Sequence, residues 1–170
     1  MLDLYLGKTE ETKLTLLFIF AISIYFIVLM KFTNSIYYYK DSDIRQDYNP
    51  NISIIISARN EEKNIKRTLE SLIKQDYPNN KYEILVANDR STDNTQIILD
   101  SYKKKYENIK VLTIDKTPIG WSNKKWALNQ LINISNSDII LQIDADCIAP
   151  ISWIKIMSGH FIDDKVGFVC

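Results

Sequence analysis

The sequence predicts an α/β domain, a mainly parallel sheet flanked by helices, behind one amino-terminal apolar helix. Three observations predict it. Short apolar, largely β-branched runs recur at Ile52–Ile56, Tyr82–Ala87, Ile109–Ile114 and Ile139–Ile143, as strands of a buried sheet do. The segments between them carry apolar residues at helical spacing, and strands alternating with helices imply right-handed crossovers. Finally, Leu14–Met30 is an uncharged run of Leu, Ile, Phe, Val and Tyr, broken only by polar Thr15 and Ser23. At 170 residues the chain is long enough for one such domain with a real core. Its 21 basic and 21 acidic residues cancel, so it has no electrostatic footprint for nucleic acid. Cys147 and Cys170 show neither metal spacing nor a disulfide framework, which fits a reducing compartment.

The apolar run lies between Lys13 and Lys31. At about 1.5 Å per residue it reaches roughly 25 Å, and extension through Ile36 completes the ~30 Å of a hydrocarbon core. Tyr37, Tyr38 and Tyr39 then stand where an interfacial aromatic belt belongs. A signal peptide would need a shorter apolar region and a small-residue cleavage site. A helix apolar all round needs more surrounding protein to be a core helix, and one without a charged face is not built to lie in the interface. A membrane anchor over 1–39, with its helix at about 14–36, is therefore expected, then a polar linker over 40–51 and a globular domain over 52–170. Lys8 and Lys13 precede the helix and Lys31, Lys40 and Arg45 follow it, a slight bias toward a single pass with a cytoplasmic domain.

In the domain, Asn60-Glu61-Glu62 is expected to cap a helix whose Ile65, Leu69, Leu72 and Ile73 share one face. That helix stops near Tyr77-Pro78. After the second strand, Asn88-Asp89-Arg90 forms a turn, and Ser91 or Thr92 caps a helix carrying Ile98, Tyr102 and Tyr106. A loop with Pro118, Gly120 and Trp121 leads to a helix from about Ser122 to Ile134, facing the sheet through Leu128, Leu131 and Ile132. The Ile139–Ile143 strand is expected to be buried on both faces. A helix from about Ile151 to Phe161 and a last strand, Val166–Cys170, close the chain.

Ligands of such sheets bind beyond the carboxyl ends of the strands, where strand order reverses. The polar residues of this chain collect there: Ser57-Ala58-Arg59-Asn60-Glu61, Asn88-Asp89-Arg90 and Asp144-Ala145-Asp146. Asp-Ala-Asp alone reads as a solvated turn. In an extended backbone, however, Asp144 and Asp146 would point to one side and repel each other without a cation between them. Two hard oxygen ligands with room for waters and phosphates suit Mg²⁺ or Mn²⁺. No Gly-rich phosphate loop occurs, so phosphates would need the metal, basic side chains or helix amino termini.

Ile-Ser-Ile-Ile-Ile-Ser-Ala-Arg-Asn-Glu-Glu after the first strand, Val-Ala-Asn-Asp-Arg-Ser-Thr-Asp after the second and Lys-Lys-Trp-Ala-Leu-Asn before Asp-Ala-Asp carry a resemblance. From Ile52 to about Cys170 the chain resembles the nucleotide-binding half of a family 2 glycosyltransferase, with the GT-A (Rossmann-like) fold. The resemblance implies that Ala58, Arg59 and Glu61 belong to the loop around the nucleoside of a nucleotide-sugar donor, expected to be a UDP-sugar, and that Asp89 hydrogen-bonds its base. It places Lys124 at the donor, Asp144 near the ribose or sugar, and Asp146 as the direct metal ligand, so that Asp146 and Asp144 form the Mg²⁺ or Mn²⁺ site. It further implies inverting transfer to an acceptor hydroxyl on a glycan or lipid at the membrane.

Asn88 stands where many relatives have a second acid. The family's catalytic base and acceptor-binding half lie further along, so no catalytic residue is assigned and a base is expected beyond Cys170. Asp163 and Asp164 read as a solvated turn. His160, Trp126 and Trp153 read as structural, Trp121 as a possible rim, and Lys103-Lys104-Lys105 as a solvated helix face. The alternatives are a non-catalytic, membrane-tethered nucleotide-binding or scaffolding module and, more weakly, a sugar nucleotidyltransferase, whose Gly-rich loop is missing here.

Overall fold

The computed structural model describes the backbone of residues 2–37 and 48–169, and side chains within 12–34 and 48–169. Tyr38, Tyr39, Lys40, Arg45 and Cys170, to which the sequence assigns a belt, a linker, a charge bias and a strand end, lie outside the described residues, as does the side chain of Lys8. The chain forms two units, Met1–Asp41 and Ser42–Cys170.

The first unit is the helix α1, Leu2–Tyr37. Within it Thr12–Asn34 is long and apolar enough to cross a membrane. Its 23 residues span about 35 Å. None of that segment is buried by the protein. Two of its hydroxyls are satisfied within the helix, Ser23 donating to the Ile19 carbonyl at 2.8 Å and Thr33 to that of Leu29 at 3.0 Å. This local back-bonding is what an apolar surround demands of a polar side chain.

The second unit is a four-stranded parallel sheet in the order β3-β2-β1-β4, formed by β1 (Ile52–Ala58), β2 (Tyr82–Asp89), β3 (Ile109–Ile114) and β4 (Ile139–Gln142). Helices α2 (Ile65–Ile73), α3 (Thr95–Lys105) and α5 (Trp153–Gly159) cover one face, where Ile52, Ile54 and Ile56 meet Leu69, Leu99 and Ile154. Helix α4 (Asn123–Ile134) covers the other, where Ile55, Leu85 and Ala87 meet Ala127 and Leu131. Each fully buried Ile contributes roughly 1.5–3 kcal/mol, so β1, buried almost throughout, is the spine of the domain. The chain walks outward from β1 to β3, then α4 carries it back to the far side of β1. Between β1 and β4 the strand order reverses, and the ligand crevice of such a sheet belongs there.

Several expectations need correction. Asn60 does not cap α2; it takes φ of 57°, a left-handed conformation that Asn tolerates better than most residues, and the helix begins after Asn64. Helix α3 is preceded by Asn94 instead of Ser91 or Thr92, because those two residues are drawn toward Asn60. Strand β4 is not buried on both faces: Ile139 and Leu141 are buried while Ile140 and Gln142 are exposed, since α4 packs over β1 and β2 and leaves this edge bare. On α4 the sheet contact is made by Ala127, Leu128 and Leu131 with Trp126, and Ile132 is 45% exposed. Residues 166–169 form no strand, as no neighbouring strand among the described residues offers them a ladder, and Phe168 is 83% exposed. Helix α5 is shorter than expected and runs into a 3₁₀ turn, His160–Ile162.

Candidate functional site

Three chain segments meet at the carboxyl edge of the sheet. β1 ends at Ala58 and β2 at Asp89, side by side through the Ala58 and Asn88 pairing. β4 ends opposite Ile55, and Ile143 continues the contact by donating its amide to the Ile55 carbonyl at 3.3 Å. Asp144 and Asp146 thereby rise beside the loop that leaves β1. They do not sit in extended backbone, as the sequence suggests, but in a turn closed by the Cys147 amide donating to the Asp144 carbonyl at 3.2 Å. Thr68 on α2 pins that turn from beneath, its hydroxyl donating to the Ala145 carbonyl at 2.7 Å, and Ala145 is buried. The small middle residue of Asp-Ala-Asp packs inward while both acids stay exposed.

Between these segments lies a cavity of about 330 Å³, lined by Ser57, Arg59, Glu61, Asp89, Asn123, Lys124, Asp144, Ala145 and Asp146. Six of the seven residues named from sequence thus surround one space. Ala58 lies below it, buried in the core of the β1 face. Ser57 belongs to the first carboxyl-edge cluster of the sequence but has no role assigned there; Asn123 has no sequence signal beyond adjoining Lys124. A cleft of about 600 Å³ at the amino ends of the strands, lined by Asn79, Asn80, Lys105 and Asn108 among others, is larger. It lacks a converging set of charged groups on a strand edge, and ligands of parallel sheets bind at the opposite end.

The loops after β1 and β2 are laced together. The Asn60 amide donates to Ser91 Oγ at 3.0 Å, and Asn60 Oδ1 accepts from the Thr92 amide at 2.8 Å. The Glu61 amide donates to Thr95 Oγ1 at 2.8 Å, and the Glu62 amide to Asp93 Oδ2 at 3.1 Å. In return the Asn94 amide donates to Glu62 Oε2 at 3.0 Å. Desolvation raises the Asp93 carboxyl, but the Thr95 hydroxyl and amide and the Glu62 amide outweigh it and hold the group below the usual Asp range. This lacing fixes the backbone that carries Arg59 and Glu61 against the one that carries Asp89.

The far wall of the cavity is looser. Ser122 caps α4 by accepting from the Lys125 amide at 3.4 Å, which sets Lys124 on the first turn. Lys124 Nζ then meets Asp144 Oδ1 at 2.7 Å, with both side chains about half exposed. Exposed Cys147 adjoins the acids; desolvation first, then Asp146 and Asp144, push its thiol up, so it is not an activated nucleophile.

Among the cavity-lining side chains, Arg59 and Lys124 stand against the carboxylates Glu61, Asp89, Asp144 and Asp146. An anionic ligand entering such a space would need more positive charge than these lining side chains supply. Among the described residues no cluster of three or more His, Cys, Asp or Glu forms a closed metal site. Two exposed carboxylates on one turn fit a hard divalent ion that takes its remaining oxygens from water and substrate.

A family model, glycosyl transferase family 2, matches residues 53–170. The chain is 35% identical over 120 residues to a beta-monoglucosyldiacylglycerol synthase from Nostoc sp., covering 71% of this chain and 25% of that protein. Among solved structures it resembles Staphylococcus aureus TarS 1-349 in complex with UDP, with 31% identity, a TM-score of 0.57 and coverage of 67% of this chain and 32% of that one. A mannosyltransferase from Pyrobaculum calidifontis, in complex with GDP-Man and Mn²⁺, shares the fold at 23% identity, with a TM-score of 0.68 over 82% of this chain and 41% of that one. The chain thus spans a quarter of the length of the Nostoc relative and about a third of the TarS chain.

Proposed function

The chain belongs to glycosyl transferase family 2, and on that premise we propose that its domain binds a nucleotide-diphosphate sugar, a UDP-sugar, for metal-dependent, inverting transfer to an acceptor hydroxyl. The observation that carries this is the convergence of Arg59, Glu61, Asp89, Lys124, Asp144 and Asp146 on one cavity at the strand-order reversal. Arg59, Glu61 and the buried Asp89 form the nucleoside end. Lys124 and the two exposed acids form the diphosphate end, where Asp146, with Asp144 beside it, would hold Mg²⁺ or Mn²⁺. A divalent ion bound there would stabilise charge developing on the leaving diphosphate. Lys124 supplies a second positive group at the same place; to reach a phosphate it must release Asp144, an exchange of one exposed ion pair for another that costs little.

The general base is not assigned. Asp163 and Asp164 stand in an exposed turn closed by the Val166 amide donating to the Asp163 carbonyl, and neither lines the cavity. The Thr12–Asn34 helix is proposed to anchor the protein as a single pass, with the domain on the cytoplasmic side, within an anchor over 1–39, a linker over 40–51 and a donor-binding domain over 52–170. Retention in the membrane fraction after alkaline carbonate extraction supports the anchor, and release opposes it.

The function is tested by incubating the full chain in detergent with Mn²⁺ and either UDP or a mixture of UTP and sugar phosphate. Saturable UDP binding without pyrophosphate release is the expected result. Pyrophosphate release would make the protein a nucleotidyltransferase, and absence of UDP binding by folded protein would remove the donor site.

A further inference from the structure

The residue after Asp89 is an arginine in a conformation that arginine seldom adopts. Arg90 has φ of 54°, in the left-handed region that favours Gly and, less strongly, Asn. A long side chain held there is a strained choice that the surrounding contacts must hold in place. Its guanidinium turns back on its neighbour: Nε donates to Asp89 Oδ1 at 2.9 Å, and Nη2 stands 2.8 Å from the same oxygen. Nη2 also reaches Thr117 Oγ1 at 3.4 Å, in the loop after β3. The Asp89 side chain is 4% exposed, yet among the described residues no donor reaches its second oxygen, and no buried side-chain oxygen is left unpartnered. Oδ2 therefore keeps some accessible surface, and Asp89 lines the cavity while Arg90 itself stands outside the lining.

We propose that Arg90 is a positioning residue for donor-base selection: it holds Asp89 Oδ1 by the Nε hydrogen bond and the Nη2 ion-pair contact, so that Oδ2 alone, a pure hydrogen-bond acceptor, faces the base. An acceptor held in one direction selects a base whose pairing edge offers a ring N–H, as the uracil N3–H does, against cytosine, whose N3 is itself an acceptor. A carboxylate free to rotate would lose this discrimination, because it could turn toward the cytosine amino group instead. The planar guanidinium of Arg supplies a hydrogen bond and an ion pair to one oxygen in a fixed geometry; Lys offers charge without that geometry. The inference rests on the proposal that Asp89 meets the base of a nucleotide donor.

The test is calorimetric titration of the full chain in detergent with UDP and with CDP, each with Mn²⁺, in wild type, Arg90→Lys and Arg90→Gly, beside thermal unfolding of each. Arg90→Lys keeps the charge and the backbone conformation but not the guanidinium contacts, and thermal unfolding reports what stability those contacts supply. The expected result is a several-fold loss of UDP affinity and a UDP-to-CDP ratio that falls in Arg90→Lys and falls further in Arg90→Gly. An unchanged ratio in both variants, with wild type still preferring UDP, overturns the inference and leaves the donor site intact. Equal weakening of both nucleotides in step with the unfolding temperature also overturns it, since that is what a merely structural role produces. If wild type binds neither nucleotide, the donor-site proposal fails and this inference falls with it.

Discussion

The two ends of the cavity are built differently. At the proposed nucleoside end, Asp89 is buried at the end of β2 and held by Arg90, and the loops after β1 and β2 are tied to each other by backbone-to-side-chain hydrogen bonds across some thirty residues of sequence. At the proposed diphosphate end, Asp144 and Asp146 are exposed on a turn held chiefly by Thr68 and by its own closing hydrogen bond, and exposed Lys124 faces them from the first turn of α4. The first end is shaped before a ligand arrives; on the proposed function the second would take its final arrangement from ion and phosphates. On the proposed function the difference would separate two roles, selection at the preorganised end and charge neutralisation at the open one. Fixed polar groups discriminate among ligands, whereas exposed charges contribute through an added cation.

This comparison predicts opposite signatures for substitutions at the two ends. The largest effect is expected for Asp146→Ala, which should weaken Mn²⁺-dependent UDP binding about 100-fold, or about 2.7 kcal/mol. As an exposed substitution it should leave stability within about 0.5 kcal/mol, checked by thermal unfolding. Asn60→Ala should do the reverse: losing the Thr92 hydrogen bond and placing Ala at positive φ should cost about 1–3 kcal/mol of stability, with only a few-fold loss of UDP affinity. If its affinity loss exceeded that of Asp146→Ala, the division of roles would be wrong.

A smaller effect concerns acid. The Asp93 carboxyl is held below its usual value in the folded protein, so its contribution is fully present above the unfolded-state value of about 3.9 and is lost as pH falls through the lower folded one. Acid unfolding below about pH 4 should accordingly be less steep in Asp93→Asn than in wild type, with the variant less stable at neutral pH. The smallest effect is expected for Lys124→Ala. Its exposed pair with Asp144 contributes at most about 1 kcal/mol, so unfolding should barely change. UDP affinity should drop a few-fold, in a salt-dependent manner.

How far the sequence carries the fold follows from what each signal encodes. The strands and their alternation with helices are legible because β-branched runs and helical spacing are local. The carboxyl-edge clusters are legible for the same reason: polar residues directly follow each strand, and a parallel sheet brings those ends together. The lacing of the two loops is not, since it depends on side chains such as Asn60 and Thr92, far apart in sequence, meeting in space. Asn60 shows the ambiguity well, because the side chain that suits a helix cap also suits a left-handed residue. Arg90 gives no sequence signal of its conformation, and only the sheet-end geometry shows its grip on Asp89. The burial of β4 was overestimated because an Ile-rich run looks the same whether one face or both are covered. Val166–Cys170 reads as a strand by composition, yet a strand needs a partner edge, and among the described residues 166–169 have none.

The central claim, a nucleotide-diphosphate site completed by a divalent ion on Asp144 and Asp146, is met most directly by one titration. UDP is added to the full chain in detergent with Mn²⁺, again with the metal chelated, and again to the double variant Asp144→Ala/Asp146→Ala. The structure predicts binding that requires Mn²⁺ and disappears in a double variant that remains folded. Binding of equal strength without metal, or retained in the folded double variant, would contradict it.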